Sequence, residues 1–377
     1  MKKLFYILGL FLSFSTLAAK PELVLRYSDG DSWRLPLGHY CFNNTPLTYK
    51  GDIFLRCSDG DIEKLFKITD SKISVVYEST SGFKLSDPVL GHEGLIWSEF
   101  AEGGTKGVYR LHQQQVSKLG YLPQGMVDGL AQMGEDKFIF RWRNFDGEQF
   151  VTSWKAMSEA WSDHPERSFA FPPTGISGQL AYKLRLQSLD EKSPDMLYWW
   201  KDLQSAPLVL KDHDADADSY WQSFRNTVGL SGSSMIFVGK LKTGEDALGM
   251  MNLEGRVEVL AQTGTTLLKE IDYFSPAINK KQMIVFRGVD QQGRRALFLW
   301  RYGKVSVILR QYDVVHTDKG LARIDYSAPT AIFMSAPSID ENRILIQTAL
   351  VDIDDPRTLI GVGLIQINLD NETIASK

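Results

Sequence analysis

The sequence predicts an all-β fold, a β-propeller of about seven blades whose ring is closed by the N-terminal strand, and three observations carry that expectation. A unit of short apolar strands and polar turns returns at intervals of roughly 40 to 60 residues, the range of propeller blades. The strands are mostly unbroken apolar runs rather than alternations, as burial on both faces requires. One strand, Leu23-Val24-Leu25-Arg26-Tyr27, stands ahead of the first unit with no partner of its own.

Taken in chain order, the first residues have the grammar of a secretory leader. Lys2 and Lys3 precede the apolar run Leu4 to Phe14, which ends in Ser15-Thr16-Leu17-Ala18-Ala19. Residues 1–19 are therefore expected to be removed and residues 20–377 to form a single propeller domain. The run is shorter than the roughly 20 residues of a spanning helix, and no cysteine stands at the cleavage point to take a lipid. A soluble periplasmic or secreted protein is the expectation. With 43% hydrophobic, 23% charged and 11% aromatic residues the chain has ample material for a core. Its formal charge of −4 lacks any compensating basic tract, which argues against nucleic acid or anionic lipid as the partner.

The two cysteines, Cys41 and Cys57, flank the turn-like Asn43-Asn44-Thr45-Pro46, and in an oxidising compartment they are expected to form a disulfide. Neither a C-x-x-C spacing nor a neighbouring histidine suggests redox or metal chemistry there.

The clearest repeat runs from Ser275 to Leu309, with strands Met283-Ile284-Val285-Phe286-Arg287, Ala296-Leu297-Phe298-Leu299-Trp300 and Val305 to Leu309, and turns at Asp290-Gln291-Gln292-Gly293 and Tyr302-Gly303-Lys304. Asn226 to Leu260, Asp87 to Leu119 and Ala336 to Leu369 follow the same spacing, and Pro46 to Tyr77, Asp128 to Met157 and Pro173 to Leu210 follow it more loosely. Sheets of this size cannot bury both faces alone, whereas radial stacking covers each face with its neighbour. Leu23 to Tyr27 is then expected to supply the outer strand of the last blade. The stretch Ser153 to Trp161 carries a short helix signal as an alternative to strand.

The unit Ser275 to Leu309 resembles exported bacterial tandem-repeat, propeller-like proteins whose repeats carry an Asn-x-x-Gly-x-x-Ala-Phe pattern. Asn279 and Phe286 hold that pattern, with Gln282 in place of the glycine and Val285 in place of the alanine, and Ala296 to Trp300 with Gly303-Lys304 match the strand and turn that follow. The resemblance implies an exported repeat array and no catalytic residue.

Among local constellations, the alternate carboxylates Asp212, Asp214, Asp216 and Asp218 could present oxygens to one calcium ion, although the glycine and glutamate that complete such loops are missing. A solvated acidic loop is the competing reading. Trp161, Trp199, Trp200 and Trp221 flank irregular stretches and are the rings best placed to stack on a sugar or grip a protein; interior packing is the alternative. No nucleophile elbow, phosphate loop, dinucleotide fingerprint or paired metal-binding histidines occur. Three classes of function remain: a binding or scaffolding propeller holding a protein or glycan on one face, a carbohydrate-active enzyme or lectin-like module, and a structural envelope component. The oligomeric state is not written in the sequence.

Overall fold

The computed structural model describes residues 21–27, 41, 45–69, 72–101, 104–120, 126–132, 137–143, 149–155, 159–162, 168–176, 178–186, 193–202, 205–317, 320–325, 333, 335–341 and 343–369. Residues 1–19, the expected leader, lie outside these residues. The described strands form seven antiparallel sheets of four to six strands each, laid down one after another along the chain. We number them first to seventh, starting from the sheet that spans Leu47–Tyr49 to Lys72–Glu78.

The sixth sheet shows how the residues dictate the unit. Its second strand, Ile284–Asp290, and third, Arg295–Arg301, pair in simple register from Ile284↔Trp300 to Val289↔Arg295, joined by a turn in which Gly293 takes φ +79°. Successive side chains on a strand point to opposite faces. Val285 accordingly packs toward the seventh sheet and Phe286 toward the fifth. This explains the unbroken apolar run, because both faces are covered.

Seven apolar cores lie between neighbouring sheets. The seventh sheet also packs on the first, through Leu345, Val362 and Leu364 against Ile53, Leu55 and Phe66. The strand Pro21–Tyr27 pairs antiparallel with Leu359–Asn368, the third strand of the seventh sheet, from Pro21↔Ile367 to Tyr27↔Val362. Close approach between paired strands sets some residue choices. A Cβ at Gly249 would lie 2.4 Å from the Phe237 ring, so only glycine lets that ring lie flat on the strand.

Cys41 and Cys57 are joined by a disulfide, and both are buried in the core shared by the first and seventh sheets. The bond ties the segment leading into the first sheet to that sheet's second strand. In place of the helix signal, Ser153 to Trp161 contributes to the strands Gln149–Lys155 and Glu159–Ser162, whose pairing with Lys137–Arg143 and with each other overrides a weak local preference. No helix among the described residues is long and apolar enough to cross a membrane.

Candidate functional site

The second strands of the seven sheets place equivalent residues against the following sheet. Phe54, Ile96, Ile139, Ala181, Ile236, Val285 and Leu345 each join the core shared with the next sheet. Two residues further on, and so on the same face, stand Arg56, Ser98, Arg141, Lys183, Val238, Arg287 and Gln347. Four of the seven are cationic, and three of these are seen to reach across a seam.

Lys183 is wholly buried and donates from Nζ to the carbonyl of Phe224 at 2.7 Å and to Asn226 Oδ1 at 3.3 Å, both in the fifth sheet. It also pairs with Asp195 at 2.8 Å, while Arg185 grips the same carboxylate from Nε at 2.6 Å and Nη2 at 3.0 Å. Burial pushes the lysine down to about 8 against the pull of Asp195. Arg287 donates to the carbonyl of Ser335 in the segment leading into the seventh sheet's inner strand at 2.7 Å and pairs with Asp272 at 2.9 Å. Arg56 bridges Glu63 at 3.0 Å and Asp87, ahead of the second sheet's inner strand, at 2.9 Å.

The acids recur as well. Glu63, Asp195 and Asp246 each open the third strand of their sheet; in the sixth sheet that position is Arg295, and the carboxylate moves to Asp272, just after the inner strand Leu268–Ile271. The fifth sheet, with Val238 where a cation stands elsewhere, supplies Arg225 from its inner strand to Asp246 at 3.3 Å. The pairing of charges is kept while the positions are exchanged. The ion pairs Lys183–Asp195, Arg56–Glu63, Arg287–Asp272 and Arg225–Asp246 thus lie within single sheets, and Lys183, Arg287 and Arg56 reach from them across a seam.

An open concavity occurs between the first and second sheets. A cleft of about 540 Å³ is lined by Tyr49, Lys50, Phe54, Val75, Val116 and the turn Gln113-Gln114, among others. Its floor is apolar, since Phe54 and Leu111 belong to the core beneath, with Trp97 stacked on Tyr109. Two tight hairpin turns make its rim: Lys50, Gln113 and Gln114 all take positive φ, at 52°, 48° and 67°. Within it Lys67 holds Asp52 at 2.7 Å. Burial works to raise that carboxyl, but hydrogen bonds from Lys67 and Thr69 prevail and hold it below its ordinary value. At the base, the buried-side hydroxyl of Tyr77 donates to Glu99 at 2.8 Å.

The residues singled out from the sequence lie elsewhere. Trp199 and Trp221 are 0% exposed in the core between the fourth and fifth sheets, and Trp200 is 8% exposed in the core on the other side of the fourth. Rings without free surface cannot stack on a ligand, so for these three the packing alternative replaces the binding one. The side chain of Trp161 lies outside the described residues. Asp212 turns inward: its Oδ2 accepts the N–H of Asp195 at 2.8 Å and its Oδ1 that of Ala215 at 2.9 Å, and Asp216 Oδ1 accepts the N–H of Asp218 at 3.1 Å. Among the described residues no three carboxylate, histidine or cysteine groups converge as a metal site. The aspartates therefore shape their own turn, in the manner of Asx turns. The cleft carried no sequence signal, because non-glycine residues at positive φ have no signature of their own.

No protein-family model matches the chain, and no curated protein matches it. Solved structures do. The β-propeller domain of the Trilobed protease from Pyrococcus furiosus, described as having an open velcro topology, aligns over 88% of this chain and 99% of its own with a TM-score of 0.52 and 11% identity. The acylaminoacyl peptidase of Pyrococcus horikoshii aligns over 88% of this chain with a TM-score of 0.54 and 12% identity, and a prolyl endopeptidase over 93% with 0.53 and 9%. The chain covers 53% and 51% of those two peptidases, about half their length. At such identities the likeness shows the fold alone, and together with the stacked antiparallel sheets it establishes an all-β propeller.

Proposed function

We propose that this chain is an exported binding or scaffolding propeller of the periplasm or cell exterior, with one blade per sheet, a leader at residues 1–19 and Pro21–Tyr27 as the strand that closes the ring. The observation that carries the reading is the contrast between the buried charges and the open cleft. Of the conspicuous ionisable side chains, Lys183, Asp195 and Arg287 bond across a seam to backbone groups, while Arg185 and Asp272 pair with them inside their own sheets. The cleft between the first and second sheets offers shape, an apolar floor and exposed donors on a rigid frame, which is what recognition needs. The buried disulfide supports export, since such bonds persist in oxidising compartments. Calcium has no part in this reading, because among the described residues no three ligating side chains converge at Asp212 to Asp218.

The test is photo-crosslinking capture from native envelope with the purified full chain, run beside a glycan array. Reproducible capture of the same protein partner with a blank array supports the scaffold; specific glycan hits support the lectin-like reading instead. Turnover of a glycan substrate by the purified chain would overturn both.

A further inference from the structure

The cleft between the first and second sheets says more about its occupant than that one exists. This step rests on the binding function proposed above and narrows it to a class of partner.

Four features of the cleft decide the chemistry. Its accessible apolar surface is at Val75 and Val116, 43% and 38% exposed on the outer strands of the two sheets, above the buried Phe54 and Leu111. Its charge is opposite in sign to the chain's: Lys67 and Asp52 neutralise each other, leaving Lys50, which is exposed and has no ion pair among the described residues, in a protein of formal charge −4. Gln113 and Gln114 add exposed side-chain amides at the facing rim. The Tyr49 ring is not open for stacking, since Lys50 Nζ sits 5.3 Å over its centroid, which disfavours a sugar.

The manner of binding also follows. The outer strand Lys72–Glu78 has a free edge, but its register jumps between Leu65↔Tyr77 and Phe66↔Val75, so Val76 is bulged out of the ladder. The outer strand of the second sheet is interrupted in the same way, between Lys118 and Gly120. Bulges blunt edges against the addition of a strand. Recognition then falls to side chains rather than to backbone pairing.

We propose that the cleft seats an extended peptide segment carrying an acidic side chain, with the carboxylate on Lys50, its apolar side chains against Val75 and Val116, and the rim glutamines contacting its backbone. The segment belongs to a partner protein.

A phage-displayed library of linear twelve-residue peptides, panned on the full chain at low salt, tests this directly. The selected peptides should carry Asp or Glu flanked by apolar residues. By fluorescence polarisation, the best of them should lose about tenfold in affinity to the Lys50→Glu variant and to a Val75→Asp, Val116→Asp variant, and should weaken as salt rises. All three substituted positions are exposed, so thermal melts of the variants should match the parent. Selection of no peptide, a neutral or basic consensus, or equal binding by both variants would overturn the proposal. Partner capture from the envelope that persists in both variants would sink the cleft while leaving the binding function standing.

Discussion

The seam between the fourth and fifth sheets and the seam between the first and second are built from the same position of the repeat, yet they end differently. At the first of these, Lys183 and Asp195 are both 0% exposed and the two sheets meet through Trp199, Trp221 and Phe237. At the second, Arg56 is 21% exposed and its far partner Asp87 37%, and the sheets part above Phe54 and Leu111 to leave the cleft. A cation sealed between sheets is a fastener. One left at the margin tolerates a gap, and the gap is where a ligand can enter. Both seams carry aromatic rings, but the open one ends in the short turns at Lys50 and Gln113-Gln114, which rim the cleft.

The largest expected effect separates the two seams. Removing one partner of a buried pair leaves the other uncompensated, so Asp195→Ala should cost about 3–5 kcal/mol by urea denaturation. Asp87→Ala, on a half-open pair, should cost about 0–1 kcal/mol. Similar losses at both sites would erase the distinction. Next in size, Cys41→Ser with Cys57→Ser should cost about 2–5 kcal/mol, because the bond constrains the unfolded chain and sits in the core between the first and seventh sheets. A loss of under half a kilocalorie would show that the seam closes without it.

A smaller effect sharpens the comparison through pH. Lys183 is pushed down to about 8 by burial, while an unfolded lysine titrates near 10.4. Between those values the unfolded chain binds more protons than the folded one, so this residue makes stability rise as pH increases from about 8 to about 10. Denaturation at pH 7.5, 8.5 and 9.5 should show that rise in the parent relative to Lys183→Met, and parallel profiles would remove the assignment. Smallest of all, millimolar calcium should leave the melting temperature unchanged, since among the described residues the aspartates do not converge as three ligands on one point. A calcium-dependent increase lost in Asp214→Ala would restore the metal site.

What the sequence conveyed divides along the same line. The strands were legible because two-sided burial leaves unbroken runs such as Ile284 to Phe286, and the turns because Gly293 and Gly303 need positive φ. The disulfide was legible because a chain with only two cysteines has one possible pairing. The fasteners were present but hidden: Arg56, Lys183 and Arg287 look like surface charges until register and face align them, and the exchange of sign at Arg295 and Asp272 defeats alignment by residue type. Trp199, Trp200 and Trp221 misled because a ring beside an irregular stretch can face either way, and here the seams had room for them. The cleft was illegible because it arises from how far two sheets diverge, which no single residue encodes.

The central claim is that equivalent positions of the repeat seal one part of the ring and leave another open. A pair of double-mutant cycles measures it by isolating each coupling from the cost of truncation: Lys183→Ala with Asp195→Ala, a pair within the fourth sheet whose two members both bond to the Phe224 backbone across the sealed seam, and Arg56→Ala with Asp87→Ala, a pair that spans the open one. The account predicts a coupling of about 2 kcal/mol or more at the sealed seam and under about 1 kcal/mol at the open one. Equal couplings, or the larger one at Arg56 and Asp87, would contradict it.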